Sequence, residues 1–519
     1  MLRYIHMQRA FAFILFLSFS ISLHASHVMG GEITWSCSGS NTYEFQLVFY
    51  RDCNGAEVNI ISEDIRVWNH PTLNSIVLNF ISREDISPSC TVVAGSPPML
   101  ECGTGSAAGN GVGAIERITY RSNPISIEGI PPSEGWIFTY ENFSRSNAIS
   151  NLSDPSTFGI TLAAKMFANP NSTDNTCTDS SPNFLQSPHF VTCAGSEYRY
   201  NMNAIDPDLD SLHFQFGIPF DYFPVGVYDP PTNPMPVPFE TGYSYDSPTP
   251  DTDIDANNIP ASIDPSTGEI VFTSFNIGNF NIKVTVQSFR NGILIGEVER
   301  EMQVVVLPCS SDNDAPVITP PFAGGLFETT VNAGDLIDFD LLATDLDLLQ
   351  NGSAQNVIIS ASGPMFGAGY TSPLGCDIEP CATLNSLPPI EAPENATASF
   401  SWQTTCDHLV NQFGGISEMI PYDFVFKVQD NFCQVPKITY ATVRINVVNP
   451  GVLQAPKIDC IQTDAAGNLT LNWTSINDPF GSFIEYGVYS IQDGLLANLL
   501  DVNANSFPIT GSTDAQDFF

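Results

Sequence analysis

The chain has 519 residues, with 56 Asp and Glu against 17 Lys and Arg and a formal net charge of −39. So acidic a surface argues against nucleic acid and anionic membrane as partners. A hydrophobic share of 43%, with 36 Phe and 16 Tyr, excludes a disordered polyanion, because those side chains require cores.

Residues 1–25 read as a secretory signal peptide. Arg3 and Arg9 supply the positive start, residues 10–23 the apolar stretch, and Leu23-His24-Ala25 the cleavage site. The apolar stretch is shorter than the ~20 residues a membrane span needs, and no later stretch is long enough, so no transmembrane span is expected. In an exported chain twelve cysteines read as disulfides. Nearest-neighbour pairing predicts Cys37–Cys53, Cys90–Cys102, Cys177–Cys193, Cys376–Cys381 and Cys406–Cys433. With no C-x-x-C pair, zinc is not expected.

At about 150 residues per domain the length predicts three to four domains. Residues 26–195 form the first. Strands are predicted at 31–37, 43–50, 65–68, 75–81, 115–120, 135–140 and 158–167, separated by Gly, Pro, Asn and Ser. Tyr43, Phe45, Leu47 and Phe49 alternate onto one face. No segment holds a 3.6-residue period beyond two turns, so the fold class is all-β.

Residues 196–309 form the second domain, with strands at 198–204, 212–218, 269–275, 280–289 and 297–307 and a Pro-, Tyr- and Asp-rich loop at 219–260. Residues 310–450 form the third, with strands at 336–343, 357–361, 398–402, 422–428 and 438–448. The two are related by an internal repeat. The stretch from Ala194-Gly195 to Asp208 aligns without a gap with Ala333-Gly334 to Asp347, so that Ala204, Asp206, Asp208 and Leu209 return as Ala343, Asp345, Asp347 and Leu348. Val428-Gln429 likewise echoes Val286-Gln287. Residues 455–519 begin a fourth domain.

The repeated acidic corners carry the best chemical signal. Calcium takes six to eight oxygen ligands, commonly carboxylates from a loop. Asp206, Asp208 and Asp210 alternate as such ligands do; the second copy keeps Asp345 and Asp347, with Leu349 at the third place. The alternative is an Asx-turn in which each aspartate bonds its own backbone. Signals for catalysis are missing: there is no H-E-x-x-H, no G-x-S-x-G and no phosphate loop ending in Gly-Lys-Ser/Thr.

Three stretches resemble known families. Ser26-His-Val-Met-Gly-Gly-Glu-Ile-Thr-Trp-Ser-Cys37 with Tyr43-Glu-Phe-Gln-Leu-Val-Phe-Tyr-Arg-Asp-Cys53 resembles the mature start of large surface proteins of gliding, type IX-secreting Gram-negative bacteria. That resemblance implies export, surface display and engagement of the secretion machinery through a C-terminal sorting domain beyond residue 519. The corner, the Ile263-Asp-Pro-Ser-Thr-Gly-Glu-Ile270 turn and the Cys309-Ser-Ser-Asp-Asn-Asp-Ala-Pro316 linker resemble cadherin-like and immunoglobulin-like repeats. This implies tandem β-sandwiches sharing ions at their junctions, with Asp312 and Asp314 adding donors to the second corner. Ala455-Pro456, Trp473 and Tyr486 resemble the opening of a fibronectin type III domain, which needs ~90–100 residues, so an incomplete domain is expected at 455–519.

The expected function is a non-catalytic, calcium-stiffened surface protein, an adhesin, stalk or matrix component whose partner is an extracellular or cell-surface polymer or protein. The alternative is a secreted carbohydrate-binding or carbohydrate-degrading protein in which Trp68, Trp136 and Tyr140 of the first domain stack on sugar rings. Filling of the sandwich core is the plainer role for those three.

Overall fold

The computed structural model describes residues 28–509 except 40, 56–59, 104–108, 170–178, 209, 311–312, 411–415, 451–456, 464, 466–468, 474–486, 493–494 and 503–505. The predicted signal peptide and Asp312 lie outside the described residues. The described chain is all-β in tandem modules, with two short 3₁₀ turns as its only helical elements.

The first module begins with β1 (Val28–Cys37), β2 (Thr42–Asp52), β3 (Ser62–Trp68), β4 (Ser75–Asp85), β5 (Ile115–Ser122), the short β6 (Ile125–Ser126), β7 (Trp136–Asn142) and β8 (Ile160–Met166). Alternation puts Tyr43, Phe45, Leu47 and Phe49 into the core, as the two-residue period predicts. Phe45 meets Phe138 with ring centroids 4.5 Å apart, and Trp35 meets Phe138 at 6.0 Å.

The antiparallel path runs β1–β2–β5–β4–β3–β7–β8 and then joins the distant strand Ile293–Leu307, which pairs back onto β1. The path is therefore a closed ring, and closure leaves these strands no free edge. Gly30 sits opposite Met302 and Glu32 opposite Arg300 where the ring closes. Gly30 has φ +140°, and a Cβ on it would stand 1.9 Å from the Glu301 carbonyl oxygen. Only glycine admits so close a strand approach.

Ile293–Leu307 also belongs to the second module. It forms a hairpin with Gly278–Arg290 across Asn291-Gly292, both at positive φ, the residues that a tight two-residue turn requires. Gly278–Arg290 pairs with Ser211–Phe216, and Val191–Cys193 runs parallel to the end of Ile293–Leu307. The facing sheet holds Glu197–Tyr200, Ile270–Thr273 and Ile259–Ile263. The division at 195/196 thus lies next to a strand that serves both units, and one core runs through them.

The third module is a sandwich of a four-stranded and a five-stranded sheet. Phe339 stacks on Phe400 at 4.5 Å between them. It repeats the second module in register: Phe214 faces Val286 in one, and Ile359 faces Val428 in the other. Each also has a short strand parallel to its last strand, Val191–Cys193 in one and Glu328–Asn332 in the other. Beyond it, Ile458–Thr463, Leu469–Trp473 and Ser506–Ile509 form a three-stranded sheet, and Gly487–Gln492 pairs with Leu495–Val502.

Disulfides join Cys53–Cys102, Cys90–Cys433, Cys193–Cys309 and Cys376–Cys381. Of the predicted pairs only Cys376–Cys381 holds. Cys37–Cys53 fails because β1 and β2 form a hairpin: Cys37 lies at its turn and Cys53 beyond its open end, about 30 Å away along the strands, whereas a disulfide needs Cα atoms within roughly 7 Å. Cys90–Cys102, Cys177–Cys193 and Cys406–Cys433 fail because Cys90, Cys102, Cys193 and Cys433 are bonded elsewhere. Cys406 and Cys460 are free and exposed.

Candidate metal centre

The first acidic corner leaves the strand Glu197–Tyr200 and leads into Ser211–Phe216. The chain turns there because Asp206 bonds its own backbone. Its Oδ1 accepts N–H groups from Asp208 at 2.9 Å and Asp210 at 3.4 Å. That is the Asx-turn weighed as the alternative to calcium, and it also gathers Asp206, Asp208 and Asp210 at one point.

A fourth carboxylate joins them. Asp179 arrives on the segment before Ser181, which exchanges hydrogen bonds with the Trp35 backbone in β1. One oxygen from each of Asp179, Asp206, Asp208 and Asp210 falls within 4.8 Å of the others. All but Asp208 are buried. Asp208 Oδ2 accepts the Ser180 N–H at 2.7 Å, tying the two segments together.

Arg290, at the end of the strand Gly278–Arg290, reaches into the group. Its Nη2 donates to Asp210 Oδ2 at 2.6 Å and Asp179 Oδ1 at 2.9 Å, and its Nε lies 3.0 Å from Asp210 Oδ1. Asp210 is thereby committed to the guanidinium. Asp179 Oδ2 and Asp206 Oδ2 are buried without a hydrogen-bond partner. Burial, then the neighbouring Asp206 and Asp208 charges, hold the Asp179 carboxyl well above the usual range. Burial, then Asp210 and Asp208, do the same to Asp206. Four carboxylates against one guanidinium leave excess negative charge in a buried place, which protons or a cation must neutralise.

Asp179 and Arg290 escape the sequence reading. Asp179 stands 27 residues before the corner in no repeat. Arg290 carried a weak signal: it is one of only 17 basic residues, placed beside an Asn-Gly turn.

The second corner repeats the turn but not the cluster. Asp345 Oδ1 accepts the Asp347 N–H at 2.9 Å, the same bond at the same length as in the first copy. The linker does reach this corner, through the backbone N–H of Asp314, which donates to Asp347 Oδ2 at 2.6 Å. Burial raises the pKa of Asp345, whose Oδ2 is buried without a partner. Behind it Asp430 accepts from Asn313 Nδ2 at 2.8 Å and from the Lys437 N–H at 3.0 Å, while Gln355 donates to Asn313 Oδ1. An amide and lysine network stands where the first corner has Asp179 and Arg290.

Two of the three sugar-stacking candidates are interior: Trp136 and Tyr140 are buried in the ring core. Trp68 is half-buried, with its indole donating to Thr139 Oγ1 at 2.9 Å and its face covered by Arg66 and Phe223. Among the described residues no helix is long and apolar enough to cross a membrane.

No family model and no curated protein matches the chain. Among solved structures it is similar to Dpr2 Ig1-Ig2 in complex with DIP-Theta Ig1-Ig3, at 9% identity and TM-score 0.19, over 52% of this chain and 99% of that one. It is similar to the human Desmocollin-1 ectodomain at 11% identity and TM-score 0.17, over 72% and 60% of the two chains. The zebrafish RET cadherin-like domains 1 to 4 match at 9% identity and TM-score 0.15, over 80% and 84%.

Proposed function

We propose that the chain is an exported, non-catalytic modular surface protein, an adhesin, stalk or matrix component that meets an extracellular or cell-surface polymer or protein. The observation that carries this reading is the covalent framework. Two of its disulfides, Cys193–Cys309 and Cys90–Cys433, close loops of 116 and 343 residues in sequence separation. Such bonds persist in oxidising compartments. The resemblance of residues 26–53 to type IX-secreted, gliding-associated proteins supports export by that route.

Within this reading the first acidic corner holds calcium. The donors are hard oxygens, as calcium prefers. Asp179 Oδ2, Asp206 Oδ2 and the Asp208 carboxylate are the oxygens that face the ion, while Arg290 fixes Asp210 and the other oxygen of Asp179. The two buried, unpartnered carboxylate oxygens support the assignment, because a buried acceptor left unsatisfied is costly. Asp345, Asp347 and Asp314 are the weaker second site.

Thermal melting with calcium and with EGTA tests it. An ion at one hundred times its dissociation constant stabilises the fold by about 2.7 kcal/mol. Calcium is expected to raise the melting temperature of the wild type and to leave Asp206→Asn nearly unchanged. The gain should be larger at pH 7.5 than at pH 5. The folded-state pKa values of ion-free Asp179 and Asp206 are raised, so their protonated forms stabilise the fold at low pH, and that help is lost as pH rises. Protons and calcium therefore compete for the same oxygens. An identical transition in calcium and EGTA at pH 7.5 rejects the calcium site.

A further inference from the structure

The third module packs against the rest through the outer face of its five-stranded sheet, and the seam holds a cavity of about 320 Å³. Its wall is mixed: Val191, Ile438 and Tyr440 make an apolar side, and Ser87, Gln186 and Gln429 are polar. One cationic side chain lines it: Lys427, from the strand Met419–Gln429.

Lys427 differs from the other lysines of this body. Lys165 pairs with Glu297 at 2.7 Å, Lys283 with Glu299 at 2.8 Å, and Lys437 donates to the Asn313 carbonyl. Among the described residues the Lys427 ammonium has no hydrogen-bond or ion-pair partner, and burial alone lowers its pKa to about 8. His189, which also lines the cavity, does not compete for an anion. Burial and then the Lys427 charge lower its pKa to about 3, so it is neutral, with its ring stacked on Tyr198. A chain with 56 acidic residues brings none to this lysine.

We propose that the seam cavity binds a small monocarboxylate with an apolar body, its carboxylate paired with Lys427 Nζ and its body against Val191, Ile438 and Tyr440. A lone cation beside the apolar side formed by Val191, Ile438 and Tyr440 selects one negative charge on a molecule with an apolar body. A polyphosphate would need several cations, and a folded partner does not fit the volume. The proposal is independent of the calcium reading.

Benzoate is the probe and benzyl alcohol its uncharged counterpart, each titrated calorimetrically into the whole chain. Benzoate is expected to saturate and benzyl alcohol to bind at least about tenfold more weakly, because the charge-assisted hydrogen bond is lost. Lys427→Met keeps the aliphatic stem of a half-buried side chain and removes its charge, so it should melt close to wild type while binding benzoate about tenfold or more weakly. Nuclear Overhauser contacts from the benzoate ring to Val191 and Tyr440 place the ligand in the wild-type chain without recourse to a variant. No benzoate binding, undiminished binding by Lys427→Met, or absence of those contacts overturns the proposal.

Discussion

Glu32→Gln should open the ring where it closes. Glu32 of β1 faces Arg300 of Ile293–Leu307 across the closing register. The pair is buried and bidentate, with Nη2–Oε1 at 2.8 Å and Nε–Oε2 at 3.2 Å. Arg300 is satisfied elsewhere too: Nη1 donates to the Tyr200 hydroxyl at 2.7 Å and the Gln186 carbonyl at 2.8 Å, and Phe184 lies 3.8 Å below its guanidinium. These contacts hold the charge in place and do not neutralise it. Removing the carboxylate leaves a buried cation without its counter-charge, at a cost of about 3–5 kcal/mol. For a unit of this size that lowers the melting temperature by roughly 6–15 °C. Glu32→Gln combined with Arg300→Met removes both charges and should return to within about 1 kcal/mol of wild type. Urea melts followed by tryptophan emission report it, since Trp35 and Trp136 lie in the same core. A Glu32→Gln cost below about 1 kcal/mol, or a double variant less stable than both singles, refutes the reasoning.

Gly30→Ala puts a methyl 1.9 Å from the Glu301 carbonyl at φ +140°. It should cost about 3 kcal/mol and speed amide exchange at Arg300 and Met302; unchanged exchange there refutes the closure. Asp430→Asn turns an N–H₂ either toward both Asn313 Nδ2 and the Lys437 N–H or toward the Phe432 N–H, all donors, and should cost about 1–3 kcal/mol. Burial raises the wild-type Asp430 pKa to about 7, above its unfolded value, so its proton stabilises the fold in acid and that contribution fades as pH rises through 7. The stability lead of wild type over Asp430→Asn should therefore shrink between pH 4 and pH 7 in urea melts, and a constant lead contradicts the assignment.

Strands and turns were legible because their signals are local. The strand at 438–448 is predicted to the residue as Ile438–Val448. The duplicated corner was legible because its Asx bond is made within three residues, and both copies make it. What the reading missed is made across distance. Ile293–Leu307 is buried on both faces along most of its length, which marks a central strand but does not say that β1, over 250 residues earlier, is its neighbour. Asp179 reaches the acidic cluster through the same closure, since its segment is held by Trp35 of β1. The Cys37–Cys53 pairing fails for the converse reason. Sequence proximity favours pairs that a hairpin drives to opposite ends.

The ring also changes where rigidity comes from. Ions at linkers stiffen a string of beads because the linkers are otherwise free. Here the first two modules share the strand Ile293–Leu307, so no linker separates them. The third is held by Cys90–Cys433, by reciprocal bonds between Thr91 and Asn431, and by Asn203 and Asn201 donating to Ser362 and Thr442. In the chain-entropy account a cross-link closing a loop this long stabilises the fold by about 5 kcal/mol, more than the ion contributes at one hundred times its dissociation constant. Calcium at Asp179, Asp206 and Asp208 would therefore act inside a body that is already tied together. It would staple the segment carrying Asp179 and Ser181 to the corner of the second sandwich. Its removal would cost melting temperature through Trp35 and β1 without freeing one module to swing against the next.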